Sequence, residues 1–322
     1  MHRIAGALII ERKIVMLTKK LRISILLLLA LPAMLLAACS PGTAGPERAY
    51  SDLSVYIREA AQARELDPGG LLVAHFIDVG EGDAILIVQG DHAMLIDGGP
   101  PEMGQAVFGY LRSHGIGRLD YLVATHPFAD HVGGLSDVLR LISVDNVLLP
   151  MVYHDTPAYN GFLAAVEASG ADAAVPFAGH TFTLGAAEIT VLSPDPAARW
   201  ENRANYSIVM RVEFGSTSFM LPGDAMREVE AALLDGAAHL SSDVLKVSRH
   251  GAPSATTSGF LDAVSPSIAV ISAGGGDNSF LSQEVLRRLG GAGAHVFRTD
   301  VHGSIVITSD GTTLGVEVER QQ

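Results

Sequence analysis

The stretch that decides the fold is YLVATHPFADHVGG, residues 121–134, an apolar strand that runs into a polar loop ending in two glycines. Loops at strand ends are where proteins usually display ligands and catalytic groups. His126, Asp130 and His131 all lie in this loop. Imidazole and carboxylate groups at this density suit a borderline divalent cation such as zinc, manganese or iron. The stretch therefore predicts a metal-binding loop at the end of a buried strand.

Two later strand ends deliver further residues of ligand type. The segment FMLPGD ends in Asp224, and the segment LKVSRHG carries His250. Because each follows an apolar strand in the same way, we expect these side chains to converge on one face. Five unrelated polar loop residues are the alternative. The predicted metal ligands are His126, Asp130, His131, Asp224 and His250.

The rest of the chain from Leu71 to Glu319 alternates short apolar strands, turns rich in glycine, proline and aspartate, and several helices. Hairpin-like strands near its start argue against a simple parallel doubly wound sheet. Mixed sheets with helices on the outside predict a layered α/β domain. No linker-like segment interrupts residues 71–319, which we therefore predict to form one domain.

The N-terminal segment has the features of a lipoprotein signal peptide. A basic stretch precedes an apolar run over residues 23–38, which at roughly 16 residues is short for a membrane-spanning helix. The run leads into Leu-Ala-Ala-Cys39, which resembles the lipobox of bacterial lipoproteins. We predict a signal peptide over residues 1–38, lipidation of Cys39, a tether with a short helix over residues 39–70, and an extracytoplasmic, membrane-anchored protein. An ordinary signal peptide or a short membrane anchor is the alternative.

Composition excludes several classes of protein. The chain has 322 residues, of which 48% are hydrophobic, with a formal charge of −13 and one cysteine. The apolar content excludes a disordered protein, and the single cysteine excludes an internal disulfide framework and a multi-cysteine zinc site. Residues 1–38 hold six of the 22 basic and one of the 35 acidic residues, so the remainder has 16 basic and 34 acidic residues and a charge of −18. This acidic balance argues against nucleic acid as a partner, because proteins hold nucleic acid mainly through basic residues on its phosphate backbone. Nothing in the sequence sets an oligomeric state.

Several motifs recur in a fixed order along the chain. They are FIDVGEGD at residues 76–83, LIDGG at 95–99, the loop 125–134, NYS at 205–207, PGD at 222–224, KVSRHG at 246–251 and RTDVHG at 298–303. Together they resemble the metallo-β-lactamase fold family and, within it, the hydrolase domain of the competence protein ComEC and its free-standing relatives. The resemblance implies a four-layer αββα sandwich with the metal centre at the strand ends between the two sheets.

Two departures from that family's pattern bear on the metal centre. The signature His-x-His-x-Asp-His maps onto residues 126–131 with Phe128 in place of the second histidine, and the later His-His-Gly motif has Arg249 as its first residue. Phe128 offers no lone pair, so the resemblance implies one depleted and one complete metal position. The depleted position keeps His126 and a share of Asp224, and the complete one has Asp130, His131, Asp224 and His250. One or two divalent ions are implied, with zinc or manganese favoured.

Weaker candidates lie beside these ligands. The predicted substrate-binding residues are Asn205, Ser207, Lys246 and Arg249. The alternative is turn capping for Asn205 and Ser207, pairing with a carboxylate for Lys246, and exposure to solvent for Arg249. His154 follows a strand end and is a candidate replacement for the missing ligand. Three carboxylates in glycine-rich turns are interpreted mainly as turn-shaping residues, namely Asp78, Asp83 and Asp97.

The sequence favours a lipid-anchored extracytoplasmic metallohydrolase. Water on the metal would attack a phosphoester or related ester bond of a small-molecule or anionic substrate, with Asp130 or Asp224 assisting proton transfer. A degenerate, non-catalytic family member that binds a ligand or partner at the cell surface is the alternative. A DNA-processing nuclease is disfavoured, because the charge is unsuited to holding DNA.

Overall fold

The computed structural model describes residues 70–276 and 280–320, which form two mixed β-sheets with helices packed on their outer faces. The predicted signal peptide, Cys39, and the predicted tether and helix before residue 70 lie outside the described residues. Within the described part of the chain, no helix is both long and apolar enough to cross a membrane.

The first sheet has eight strands in the order β15-β14-β1-β2-β3-β4-β5-β6. Pairing is antiparallel from β15 to β3 and parallel from β3 to β6. The strands are β1 (Leu72–Phe76), β2 (Ile85–Gln89), β3 (His92–Ile96), β4 (Arg118–Val123), β5 (Ser143–Leu148), β6 (Asp172–Ala174), β14 (Ile305–Ser309) and β15 (Leu314–Val318).

The second sheet has seven strands in the order β13-β12-β11-β10-β9-β8-β7. Pairing is antiparallel from β7 to β10 and parallel from β10 to β13. The strands are β7 (Thr181–Leu184), β8 (Ala187–Ser193), β9 (Val209–Phe214), β10 (Thr217–Leu221), β11 (Val244–Lys246), β12 (Ile268–Ile271) and β13 (His295–Arg298). Each sheet therefore has a parallel half, whose strands all end at one edge.

Helices cover the two outer faces. They are α1 (Gly104–Ser113), α2 (Ala129–Val132), α3 (Leu135–Leu141), α4 (Pro157–Ser169), α5 (Arg227–Asp235), α6 (Ser258–Val264), α7 (Gln283–Gly291) and α8 (Thr299–His302). Alternation along the strands supplies each layer with an apolar surface. On β10, for example, Phe219 belongs to the core between the sheets, and Met220 packs with the outer helices α5, α6 and α7.

Three buried apolar clusters show four layers. One cluster joins residues of both sheets, the second joins the first sheet to α1, α3 and α4, and the third joins the second sheet to α5, α6 and α7. Burial of this apolar surface is the main term that holds the layers together. The predicted αββα sandwich is therefore confirmed.

Candidate metal centre

The site is built from loops that leave the parallel strands of both sheets at the same edge. From the first sheet, Asp97 follows β3 and His126 follows β4. From the second sheet, Asp224 follows β10 and His250 follows β11. Neighbouring parallel strands end at the same level, as Ile96 opposite Val123 shows for β3 and β4. The side chains that follow these strands therefore lie at the same edge of the sheet.

Glycines let the loops of the first sheet approach one another closely. A Cβ atom on Gly134 would lie 2.0 Å from the carbonyl oxygen of Gly98, and one on Gly82 would lie 2.3 Å from that of Asp130. Backbone hydrogen bonds then join the loops, because the Gly98 amide donates to the carbonyl of His131 at 2.7 Å. The glycine-ended loop therefore fixes the positions of Asp130 and His131.

Three buried histidines present the same ring nitrogen to the centre of the site. The Nδ1 atom of His131 lies 2.8 Å from Asp97 Oδ2, and that of His250 lies 3.0 Å from the carbonyl of Ser272. These acceptors assign the proton to Nδ1 in the neutral rings. The Nε2 atoms of His126, His131 and His250 are buried and have no hydrogen-bond partner among the described residues.

The tautomer of His126 follows from a short relay. Thr125 Oγ1 donates to Asp97 Oδ2 at 2.6 Å and lies 3.1 Å from His126 Nδ1. Because the hydroxyl proton is used toward Asp97, the oxygen accepts from the Nδ1–H of His126. The lone pair of His126 Nε2 therefore also points into the site, and Asp97 orients two of the three imidazoles.

Carboxylate oxygens complete a four-donor set around one point. Asp224 Oδ1 lies 3.5 Å from His131 Nε2 and 3.6 Å from His250 Nε2. Asp130 Oδ2 lies 3.8 Å and 3.6 Å from the same two nitrogens. Two donors bound tetrahedrally at about 2.1 Å from one ion lie about 3.4 Å apart. These four separations are thus close to those of a tetrahedral metal site.

The neighbouring position is depleted by Phe128. The second oxygen of Asp224, Oδ2, lies 3.6 Å from His126 Nε2, so Asp224 faces both positions. The Phe128 ring packs edge-on against His126 at 4.9 Å between ring centroids, and it offers no donor atom. His154, the candidate replacement ligand, lies behind it, with its ring centroid 5.4 Å from that of Phe128.

The buried carboxylates and imidazoles of the cluster shift one another's pKa values. Burial alone lowers the pKa of His131, but the carboxylates of Asp97 and Asp224 outweigh it and raise the pKa to about 10. Burial likewise favours protonated Asp224, yet the surrounding imidazoles bring its pKa well below the usual range. For His126, burial and then the charge of His131 outweigh the nearby carboxylates and lower the pKa to about 3.

A divalent cation fits this arrangement. Buried donor atoms of the site have no hydrogen-bond partner within residues 70–276 and 280–320, and the surrounding carboxylates raise the pKa values of His131 and His250. Unpartnered buried polar atoms are costly, so their convergence needs an explanation. Groups of imidazole and carboxylate donors that lie within 4.8 Å of one another here include the set Asp130, His131 and His250 and the set His126, His131 and Asp224. These residues suit divalent metal binding.

Lys246 lies beneath the site, where substrate has no access. The side chain is fully buried, and its ammonium group forms an ion pair with Asp83 and donates to the carbonyl of Gly223 at 3.2 Å. The contact with Asp83 matches the alternative given for Lys246, which was pairing with a carboxylate. Asp83 is itself 1% exposed and lies 3.7 Å from His131 Nδ1, so it belongs to the floor of the site as well as to a turn.

Asn205 and Ser207 fix the loop that carries Asp224. They precede β9 rather than begin it, because residues 203–206 form a 3₁₀ turn. The Ser207 hydroxyl accepts from the Asp224 amide at 3.2 Å, and Asn205 Oδ1 accepts from the Met226 amide at 3.0 Å. Both side chains are buried, which matches the plainer capping role.

Comparison with known proteins identifies the family. The family model described as the metallo-β-lactamase superfamily matches residues 77–275. The chain belongs to this superfamily. Among its relatives, ComE operon protein 3 of Bacillus subtilis is 30% identical over 71% of this chain and 32% of its own length. Recombination protein 2 of Haemophilus influenzae is 28% identical over 71% of this chain and 28% of its own length.

The metallo-β-lactamase fold is also found in a solved structure. YhfI of Bacillus subtilis superposes with a TM-score of 0.47 at 14% identity, covering 72% of this chain and 96% of that protein. Competence protein ComA of Neisseria gonorrhoeae is 26% identical over 71% of this chain and 31% of its own length, and with ComE operon protein 3 it confirms the predicted ComEC-like resemblance. This chain spans about a third of the length of those relatives, so their complete activities do not transfer to it.

Proposed function

We propose that this protein is a metal-dependent hydrolase of phosphoester or related ester bonds, anchored outside the cytoplasm through lipid on Cys39. One observation carries the hydrolase proposal. Four buried donor atoms that have no hydrogen-bond partner in the described part of the chain converge between the sheets, namely Nε2 of His126, His131 and His250 and Oδ1 of Asp224. Membership of the metallo-β-lactamase superfamily supports this proposal, and fold alone does not set the substrate.

Zinc or manganese would be held by His131, His250, Asp130 and Asp224, with His126 at the edge of the set. Such an ion supplies Lewis acidity, which activates water and polarises the ester. The side chain of Asp130 is 30% exposed, whereas that of Asp224 is 5% exposed. We therefore assign Asp130 Oδ1 as the acceptor of a proton from solvent, and Asp224 as the buried carboxylate that holds the set together.

The envelope location is supported by the signal-like N-terminus and by relatives named as competence proteins. A small-molecule ester rather than nucleic acid is supported by the acidic charge, which is unsuited to DNA. Phe128 favours one alternative, a degenerate member that binds a ligand without turning it over, because it removes a donor from the second metal position.

The proposal is tested by metal analysis and hydrolysis assays on the chain without residues 1–38. Purified protein is analysed for zinc and manganese and assayed on bis(p-nitrophenyl) phosphate, with and without added metal. We expect close to one ion per chain and metal-dependent turnover. Bound metal with no turnover of any ester would favour the ligand-binding alternative. Absence of both would contradict the metal centre itself.

Replacing Phe128 by histidine is expected to raise the metal content. The new imidazole would add a third donor beside His126 and Asp224 Oδ2, enough to hold a second ion. Metal analysis should approach two ions per chain, and diester turnover should rise because two ions stabilise both the attacking and the leaving oxygen.

Phe128→Leu is the matched control, since it changes packing without adding a donor. Its metal content should equal that of the wild type. If both substitutions raised the metal content, loosening of the loop rather than a new ligand would be the cause, and the assignment of a depleted position would be wrong.

A further inference from the structure

Arg249 is a cation at the site with no carboxylate partner among residues 70–276 and 280–320. It precedes His250, is half-buried, and places Nη1 2.9 Å from the thioether sulfur of Met226. Thioether sulfur is only a weak acceptor, so this contact leaves the positive charge uncompensated. In contrast, Arg298 pairs with Asp300 at 2.6 Å. An arginine held without an anion leaves its bidentate donors available to a ligand.

The backbone fixes Arg249 against the loop that carries Asp224. Its amide donates to the carbonyl of Gly223 at 3.2 Å, and its carbonyl accepts from the Ala252 amide at 2.9 Å. The residue has φ 49° and ψ 48°, a left-handed conformation that disfavours residues with a Cβ atom. The neighbouring hydroxyl of Ser248 also bonds to the carbonyl of Gly223 at 3.3 Å. These bonds hold the backbone of Arg249 against the loop that carries Asp224, and its guanidinium contacts Met226, two residues after Asp224.

The net charge of the metal centre bears on the role of this guanidinium. Four carboxylates lie in or under the site, and the ammonium of Lys246 neutralises one of them. With neutral histidine ligands, as metal binding requires, one divalent cation leaves a single negative charge. An anionic ester approaching such a centre would be repelled at close range. Arg249, which directly precedes His250, is a positive charge in the chain next to this centre.

We propose that Arg249 binds an oxyanion of the substrate and makes the enzyme selective for esters that carry a negative charge at or beside the scissile bond. The planar guanidinium presents paired N–H donors that match the oxygens of a phosphate or a carboxylate. This inference rests on the proposed hydrolase function and narrows it to anionic esters, with Arg249 as a specificity residue rather than a metal ligand.

The kinetic test compares two esters that share a leaving group. Bis(p-nitrophenyl) phosphate carries a negative charge, and p-nitrophenyl acetate is neutral. Arg249→Met should lower kcat/KM for the diester by about tenfold to a hundredfold, the usual range for loss of a charge-assisted contact, and leave the acetate within about twofold. Arg249→Lys keeps the charge but loses the paired guanidinium donors, so its kcat/KM for the diester should lie between those of the wild type and Arg249→Met. An equal loss on both esters would mean that Arg249 only supports the loop, and would overturn the proposal.

A binding measurement separates this inference from the hydrolase proposal. Inorganic phosphate is titrated calorimetrically into the metal-loaded wild type, Arg249→Met and Arg249→Lys. Arg249→Met should weaken phosphate binding by at least about tenfold. Arg227→Met is the matched control, because Arg227 is exposed on the adjacent α5 and its guanidinium bonds to carbonyl oxygens of Pro253 and Ser254. Its phosphate affinity should equal that of the wild type.

The two proposals then fail in different ways. If the wild type hydrolyses neither ester but Arg249→Met loses phosphate affinity, the hydrolase proposal fails and the anion site stands. If the wild type hydrolyses the diester but Arg249→Met binds phosphate as tightly as the wild type, the anion site is wrong and the hydrolase proposal stands. Equal weakening by Arg227→Met would indicate a diffuse charge effect and would also overturn the site.

Discussion

Asp224→Asn is expected to remove both the bound metal and the ester hydrolysis. The two oxygens of Asp224 face all three imidazoles, at 3.5 Å and 3.6 Å from Oδ1 and 3.6 Å from Oδ2. Asparagine has the same shape, but it is uncharged and its nitrogen cannot act as a ligand. Loss of an outer-shell partner alone costs about tenfold to a hundredfold in metal affinity, so loss of this ligand should cost more than about a hundredfold.

Chelator competition measures that loss directly, and elemental analysis of the protein as isolated checks it. Asp137→Asn is the matched control, because Asp137 lies on α3, pairs with Arg140 at 3.1 Å, and is separate from the metal donors. It should keep wild-type metal affinity and turnover. Wild-type metal affinity in Asp224→Asn would show that the four-donor set around Asp224 is assigned incorrectly.

The ligands of this site were predictable because they follow strong local signals. An apolar run long enough to be a buried strand ends just before His126, and similar runs end before Asp224 and His250. Strand ends in parallel halves of sheets meet at one edge, so strand position alone brings these residues together. Strand β6 carries no such signal, because it is exposed along its whole length and lacks the apolar run that marks a buried strand.

The floor of the site was not predictable from local pattern. Asp97 has φ 58° and follows a strand in a glycine turn, so its local features are those of a turn-forming residue. Its contact with His131 depends on β3 lying beside β4, which no local pattern specifies. The strand-end argument used for His126 would have placed Asp97 at the same edge, since Asp97 directly follows β3, but it would not have given this contact. No local feature of the sequence marks Asp83 as part of the floor, because its partner Lys246 lies on a strand of the other sheet.

Lys246→Met is expected to cause a large loss of stability. The ammonium is fully buried, and its removal leaves the Asp83 carboxylate, 1% exposed, without its cation. Breaking a buried ion pair by removing one partner costs about 3–5 kcal/mol, because the other charge remains buried and unpaired. Methionine has nearly the length of the lysine stem, so the lost charge rather than a cavity dominates. Urea unfolding of the metal-free protein at pH 7 measures the free energy of unfolding.

The pH dependence identifies Asp83 as the source of the loss. Burial favours protonated Asp83, but Lys246 and then His250 lower its pKa below the ordinary value. A lowered pKa contributes stability above the unfolded-state pKa, and that stability is lost as the pH falls through the folded-state pKa. Without Lys246, only part of the charge that opposes burial remains, from His250 and His131, so the pKa of Asp83 rises and the variant carries a penalty that protonation relieves. The gap in unfolding free energy between wild type and variant should therefore narrow as the pH falls through the raised pKa of Asp83 in the variant.

The double variant Asp83→Asn, Lys246→Met completes the argument, because it removes both charges at once. It should recover much of the stability lost in Lys246→Met, since a buried pair replaced by neutral groups costs far less than a pair left half broken. If the double variant were as unstable as the single one, the loss would come from packing and from the bond to the Gly223 carbonyl. The ion pair would then be incidental to stability, and its position under His131 would have to be explained by the metal centre alone.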